Sequence, residues 1–278
     1  MAGTLYVVST PIGNLEDLTF RALRVLKEVE IIACEDTRHT RTLLAHYGID
    51  KRLLSYHEHN ERQRTAELLQ RLEENASVAL LTDAGTPALS DPGYAIVHAA
   101  AARGIPVIAV PGASAVTAAL AVAGLPTDRF AFLGFLPRKS GERKRALVAL
   151  ASIPWTLVFF EAPHRLRDML KDVADTLGDR EVAVGRELTK RFEEVIRGSL
   201  GEVQEHFRDT EPRGEFTVVV AGAGENVETA AVSAETDLKE LLEGGMPPKN
   251  AVQIVARRHG VSRRAVYQMM LEMTGKRQ

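Results

Sequence analysis

Apolar positions along the chain fall into two alternating rhythms. Four short β-branched runs come first, Thr4 to Thr10, Glu30 to Asp36, Ser77 to Asp83 and Ile105 to Val110. Such runs, bounded by polar and Gly/Pro positions, predict strands. Between them the apolar spacing shifts to that of a helix. Leu18, Ala22, Val25, Leu26 and Val29 share one face of Leu15 to Val29, and Leu68, Leu69 and Leu72 share one face of Arg64 to Glu74. Ala95 to Ala102 and Ala113 to Ala123 are Ala-rich helices. Strands alternating with helices predict a parallel sheet covered on both faces.

A connection at Ala123 to Phe130 leads into a second α/β set. Its strands are Phe130 to Leu136, Trp155 to Phe160, Glu181 to Glu187, Glu193 to Ser199 and Glu215 to Ala221, with helices at Gly141 to Ala151 and His164 to Leu177. The link between the third and fourth strands is too short for a helical crossover, so they form a hairpin and the second sheet is mixed. Residues 223–234 read as a polar, Ala-rich linker. After them come Asp237 to Leu242, "GGMPP", and a helix, Gly turn, helix pattern in "VQIVARRHGVSRRAVYQMM". There Ala256 suits a helix crossing, Gly260 the turn and Ser262 a helix cap. The expected organisation is two α/β domains, 1–122 with a parallel Rossmann-like sheet and 123–224 with a mixed sheet, plus a small basic helical domain at 235–278.

Charge sharpens one part of this picture. The net charge is −2, but Lys249 to Gln278 carries +6 and the rest −8. A basic tail on an acidic body points to an anionic partner for the tail. One cysteine, Cys34, excludes an internal disulfide and a multi-cysteine zinc site. No apolar run reaches membrane-spanning length and the first residues lack a signal-peptide pattern, so a cytoplasmic location is expected.

The chemistry should lie beyond the carboxyl ends of the parallel strands. The loops there are "TPIGN", "EDTRHT", "DAGTP" and "PGAS"; in the second sheet they are "FLPRK", "FEAPHR" and "RELTK". The first strand–helix turn, "STPIGNL", has one glycine, and "GAGENV" has Val227 where a third glycine belongs. There is no phosphate-cradling glycine loop of the dinucleotide or P-loop kind. Ser114 in "PGASAV" has Val116 in place of the second glycine of a nucleophile elbow and no identifiable partners, and a helix-capping role accounts for it. His57 and His59 flank Glu58, but a third metal ligand cannot be placed, and no metal is expected.

Taken together and in order, "TPIGNLEDLTFRALRVLKEVEIIACEDTRHTRTLL", "LLTDAGTPALSDPGY", "VPGASA", "FLGFLPRKSGERK", "FEAPHRL" and "GRELTK" resemble the tetrapyrrole methylase superfamily. Within it they are most similar to the small-subunit ribosomal RNA enzymes that 2′-O-methylate a decoding-centre cytidine. The resemblance runs from about Thr4 to the C-terminus. It implies S-adenosylmethionine as methyl donor, a cleft between two domains as its site, a homodimer, and 16S rRNA or the small ribosomal subunit as substrate. "DAGTP" stands in place of the Gly-Asp-Pro cofactor loop of the tetrapyrrole enzymes, which argues against a tetrapyrrole substrate. A sulfonium cofactor has no phosphates, so the missing glycine fingerprint is consistent with it. The residues implied to bind it are Pro11, Asp83, Gly85, Thr86, Pro87, Ser114, Ala115 and Phe160.

Removing the proton of a 2′-hydroxyl calls for a base. Glu35, Asp36, Glu161 and Glu187 are candidates, with His57 and His164 beside them. Expected RNA contacts are Arg38, Arg165, Arg186 and Lys190, the basic run Arg138, Lys139, Arg143 and Lys144 with Arg145, and the tail's Arg257, Arg258, Arg263 and Arg264. Phe130, Phe132 and Phe135 alternate beside that run. Two other functions stay open from the residues alone: a tetrapyrrole C-methyltransferase of the same superfamily, and a noncatalytic nucleic-acid-binding regulator using the helix-turn-helix pattern.

Overall fold

The computed structural model describes residues 3–224, 227–259 and 261–273. By contacts the chain separates into two units, one running to Ala118 and including Leu188–Arg191, the other comprising Ala119–Glu187 and the chain from Phe192 onward.

The first unit is built on β1 (Leu5–Val8), β2 (Ile31–Cys34), β3 (Arg52–Ser55), β4 (Val78–Leu81) and β5 (Val107–Val110). They form one sheet in the order β3-β2-β4-β1-β5, and every neighbouring pair is parallel. β2 and β4 are buried at every position, which is why they read as unbroken apolar runs. β3 is an addition to the strands expected from the sequence. It is a four-residue edge strand with one exposed arginine, and its "RLLS" carries no alternation to distinguish it.

The helices are α1 (Phe20–Glu28), α2 (Thr37–His46), α3 (Glu61–Glu73), α4 (Tyr94–Ala102) and α5 (Ala115–Ala123). The expected helix from Leu15 divides. A 3-10 turn covers Leu15–Asp17, then the Thr19 hydroxyl accepts the Ala22 amide and starts α1. "EDTRHT" is not a loop throughout. Asp36 accepts the Arg38 amide at 2.8 Å and caps α2, so the segment is helical from Thr37.

In the second unit β6 (Phe130–Phe135), β7 (Thr156–Glu161), β8 (Glu181–Arg186), β9 (Glu194–Ser199) and β10 (Phe216–Val220) form a sheet in the order β6-β7-β10-β8-β9. β6 and β7 are parallel and the other pairs antiparallel. β8 and β9 pair directly, as their short connection requires. The helices α6 (Ser140–Val148), α7 (Leu166–Leu177) and α8 (Leu200–Asp209) bury Leu147, Met169, Leu170, Val173, Val203 and Phe207 with Leu157 and Phe159 of β7. α8 is a further helix beyond those expected, and a reciprocal capping box of Ser199 and Glu202 starts it.

The tail is α9 (Val227–Glu243), α10 (Pro248–His259) and α11 (Arg263–Met273), packed around Ala234, Leu238, Val255, Ala256 and Val266. The expected linker at 223–234 is therefore helical from Val227, because its alanines favour a helix over a flexible tether. α11 touches α7, so the tail rests on the second unit. Ser262 accepts the Ala265 amide and caps α11; Gly260 lies outside the described residues. Among the described residues no helix is long and apolar enough to cross a membrane.

Candidate active site

In the first unit the loops after β1, β4 and β5 knit together. Thr10 and Gly85 exchange both backbone hydrogen bonds, at 2.8 and 3.2 Å, and so form a two-residue bridge beyond the sheet. Gly85 holds φ at +88°, a conformation L side chains rarely adopt. The buried Thr10 hydroxyl donates to the Thr82 carbonyl at 3.1 Å. The Ser9 and Thr86 hydroxyls meet at 2.9 Å, and the Thr86 hydroxyl lies 3.5 Å from the Ala113 carbonyl. Thr86 thus joins all three loops. Pro87 is buried next to it, and Ser114 and Ala115 are half-buried at the start of α5.

Beside these loops is a cleft of about 540 Å³, lined among others by Ile12, Asp17, Gly112, Ala113, Ser114 and Thr189. Its wall is largely backbone and small side chains, as close approach to a ligand requires. Thr189 comes from the Leu188–Arg191 segment, which lies within the second domain by the boundaries expected from the sequence but belongs by contacts to the first unit. Its hydroxyl accepts the Asn14 amide at 3.2 Å. Lys190 lies over Gly13, where a Cβ would come within 2.3 Å of the lysine Cγ.

Around the β4 loop sits a group of carboxylates. Asp83 accepts the Asp36 amide at 3.1 Å, and the Thr82 hydroxyl donates to Glu35 at 3.2 Å. Asp91 is pushed up to about 6, first by burial and then by the charge of Glu35, with a Thr82 hydrogen bond opposing and Asp83 adding a smaller push. Asp91 is absent from the residues expected at the site, although it stands within the quoted loop. So are Ser9, Thr10 and Thr82, whose signal in the sequence is polar residues ending two buried strands.

The base candidates are now distinguishable. Asp36 caps α2 and pairs with Arg38 at 3.1 Å, and hydrogen bonds from Arg38 hold it below the usual carboxylate range. Glu187 accepts the Glu215 amide at 3.0 Å. Glu161 is 2% exposed; burial pushes it up, against the Ala162 amide and Arg165. Its Oε1 accepts the Ala162 amide at 2.9 Å and lies 3.1 Å from Arg165, while Oε2 has no partner. His57 is engaged by the Asn60 side-chain amide at 3.1 Å. Phe160 is in the second sheet, edge-on to Phe132 at 4.8 Å and Phe135 at 5.7 Å.

The expected RNA contacts do not behave alike. Arg143 corrects that expectation. It is 2% exposed and its guanidinium pairs with Asp172 at 2.6 Å, so it is a core residue with no surface to offer. Lys144 pairs with Asp172 at 3.2 Å and Asp175 at 2.9 Å. Arg138, Lys139 and Arg145 are exposed. Arg186 donates to the Arg213 carbonyl at 2.7 Å. In the tail Arg257, Arg263 and Arg264 are exposed, and Arg258 pairs with Asp237 at 2.9 Å.

Comparison with known proteins places this architecture. Residues 4–204 match the tetrapyrrole (corrin/porphyrin) methylases, and residues 228–274 match a domain described as the RsmI C-terminal HTH domain. The ribosomal RNA small subunit methyltransferase I of Halalkalibacterium halodurans is 47% identical over 95% of this chain and 93% of its own. The protein of that name from Escherichia coli O157:H7 is 45% identical over 98% and 96%. Uroporphyrin-III C-methyltransferase from Thermus thermophilus, complexed with S-adenosyl homocysteine, aligns with a TM-score of 0.56 and 25% identity over 82% of this chain and 100% of that one. Diphthine synthase aligns at 0.61 and 18% identity, over 79% and 90%, a likeness of fold. With such identity over nearly its whole length, the chain belongs to the ribosomal RNA small subunit methyltransferase I family of the tetrapyrrole methylases.

Proposed function

We propose that this protein transfers a methyl group from S-adenosylmethionine to the 2′-hydroxyl of a cytidine in the decoding centre of 16S rRNA. The observation that carries the reading is the near-full-length identity to relatives named for small-subunit rRNA methylation. The first unit's loops fit the cofactor's needs: close backbone at Gly85, the hydroxyls of Ser9, Thr86 and Ser114, and small residues at Ala113 and Ala115. Pro11, Asp83 and Pro87 belong to the same loops; Phe160, which the resemblance also implies for the cofactor, is in the second sheet. When bound, the cofactor supplies an electrophilic methyl carbon.

The chain's own task is to align the ribose and accept its proton. Alignment is worth several kcal/mol and a positioned base about 10²- to 10⁴-fold. The base comes from Glu35, Asp36, Glu161 and Glu187. Asp36 ranks last, because a carboxylate held low by Arg38 is a weak acceptor. The exposed cations Arg138, Lys139, Arg257, Arg263 and Arg264 meet phosphates, and Arg38, Lys144, Arg165, Arg186, Lys190 and Arg258 do so alongside the contacts they already make. The protein works in the cytoplasm as a homodimer, which sedimentation would test.

The deciding experiment supplies labelled cofactor with isolated small subunits or with uroporphyrinogen. Label is expected in rRNA, at one cytidine whose 3′ linkage resists alkali. Label in uroporphyrinogen alone, or no transfer at all, would overturn the proposal.

A further inference from the structure

The second unit carries a cleft of about 570 Å³ lined by Phe135, Leu136, Pro137, Arg138, Ala162, His164 and Arg165. Its loop is braced from behind. Arg165 donates through Nη2 to the Leu136 carbonyl at 2.6 Å and the Pro137 carbonyl at 3.3 Å. The buried Arg143 donates to the carbonyls of Pro137 at 3.3 Å and Arg138 at 3.1 Å. All three loop carbonyls therefore accept from arginine, and the polar side chains of the lining are Arg138, Arg165 and His164. Glu161 has a fully buried side chain 3.1 Å from Arg165, so it holds that arginine without presenting negative charge at the surface.

One wall is aromatic. Phe135 is 55% exposed, and its ring is held edge-on by Phe160, itself edge-on to Phe132. An exposed ring backed by two others is a fixed stacking platform. Donors that suit an acceptor-only group, beside a rigid ring, match one nucleotide of an unpaired RNA strand: its phosphate on the arginines and its base on the ring.

We propose that this cleft binds a single-stranded nucleotide of the RNA substrate, with Arg138 and Arg165 on its phosphate and Phe135 under its base. The assignment rests on the reading of the protein as an rRNA methyltransferase and adds where the strand beside the target is held. Phe135 and Arg138 are exposed, so substituting them leaves the fold in place.

The test is anisotropy of a fluorophore-labelled single-stranded RNA oligonucleotide over a range of salt, with wild type, Phe135→Ala and Arg138→Gln. Phe135→Ala is expected to weaken binding about tenfold with an unchanged salt slope, since stacking carries no charge. Arg138→Gln is expected to lower the slope of log affinity against log salt by about 0.7, the value of one phosphate contact on a single strand. Both should raise KM for small subunits more than they lower kcat. RNA binding that is unchanged in both variants overturns the proposal. So does a tetracarboxylate porphyrin that binds wild type and weakens in both variants while RNA does not. Failure of wild type to methylate small subunits would strike the functional reading, and anisotropy would still decide the cleft.

Discussion

The loop from Asp83 to Gly93 in the first unit and the run from Pro137 to Arg145 in the second both stand out as polar stretches in the sequence, yet the fold treats them differently. The first follows a fully buried parallel strand, and the polar side chains in and beside it turn to one another: Thr86 to Ser9, Thr82 to Glu35, Asp83 to the Asp36 amide. It acts as a unit. The other has five basic residues whose roles diverge. Arg143 is a core ion pair, Lys144 bridges two aspartates, and Arg138, Lys139 and Arg145 face outward. A loop at the end of a parallel strand inherits its position from the sheet. A charged run on a helix such as α6 is divided by helical periodicity, one face inward and the other outward.

The sharpest way to break that contrast is Arg143→Ala. It leaves Asp172 buried with Lys144 as its remaining cation, and should cost about 3 kcal/mol of stability. Arg138→Gln, five residues earlier, should stay within about 0.5 kcal/mol. Urea unfolding of both measures the difference, and equal losses would mean the two arginines are not separated as described.

Within the first loop, Thr86→Tyr should block S-adenosylmethionine. A phenol in place of the hydroxyl that joins three loops fills the space, and calorimetry should show affinity down by at least about 100-fold, or about 2.7 kcal/mol. Unchanged binding in a folded Thr86→Tyr protein would remove the cofactor from this loop.

Asp91 tests the carboxylate group by pH. Its folded pKa of about 6 lies above the ordinary value. Its contribution is therefore fully present below the ordinary value of about 4 and is lost as pH rises through 6, where the folded state must carry the charge. Asp91→Asn should then stabilise the protein above pH 7, by about 2 kcal/mol at most given its partial exposure, and do little at pH 4. Thermal melts at the two pH values measure it; a gain that does not change with pH would contradict the clustering of Asp91 with Glu35 and Asp83.

The smallest effect concerns the tail. Removing Arg257, Arg258, Arg263 and Arg264 should flatten the salt dependence of RNA binding, by up to about 0.7 to 0.9 for each phosphate that is no longer neutralised. Arg258 is partly spent on Asp237, so the other three arginines set the natural ceiling. Truncation after Ala223 is a poorer probe, because it also strips α11 from α7. Cofactor binding should survive both changes, and an unchanged salt slope in the four-arginine variant would take the tail out of RNA recognition.

Much of this molecule is legible in the chain itself. Among the described residues, β2, β4, β7, β8 and β10 stand out because buried strands are apolar runs; β3 does not, because its four residues are only half-buried or exposed and show no alternation. The parallel first sheet follows from strand–helix alternation, and the hairpin of β8 and β9 from a connection too short for a crossover. "DAGTP" stands out as a candidate site loop by its place after β4. What only the tertiary structure decided were relations between residues distant in sequence. Asp172 turns Arg143 from a surface cation into a core one across 29 residues. Ser9 and Thr86 meet across 77, and the Leu188–Arg191 segment joins the first unit from the far half of the chain. Periodicity reports which face of an element is buried, because burial selects for apolar side chains along that element. It does not report what lies opposite, because a polar residue satisfied by a distant partner and one satisfied by water read the same.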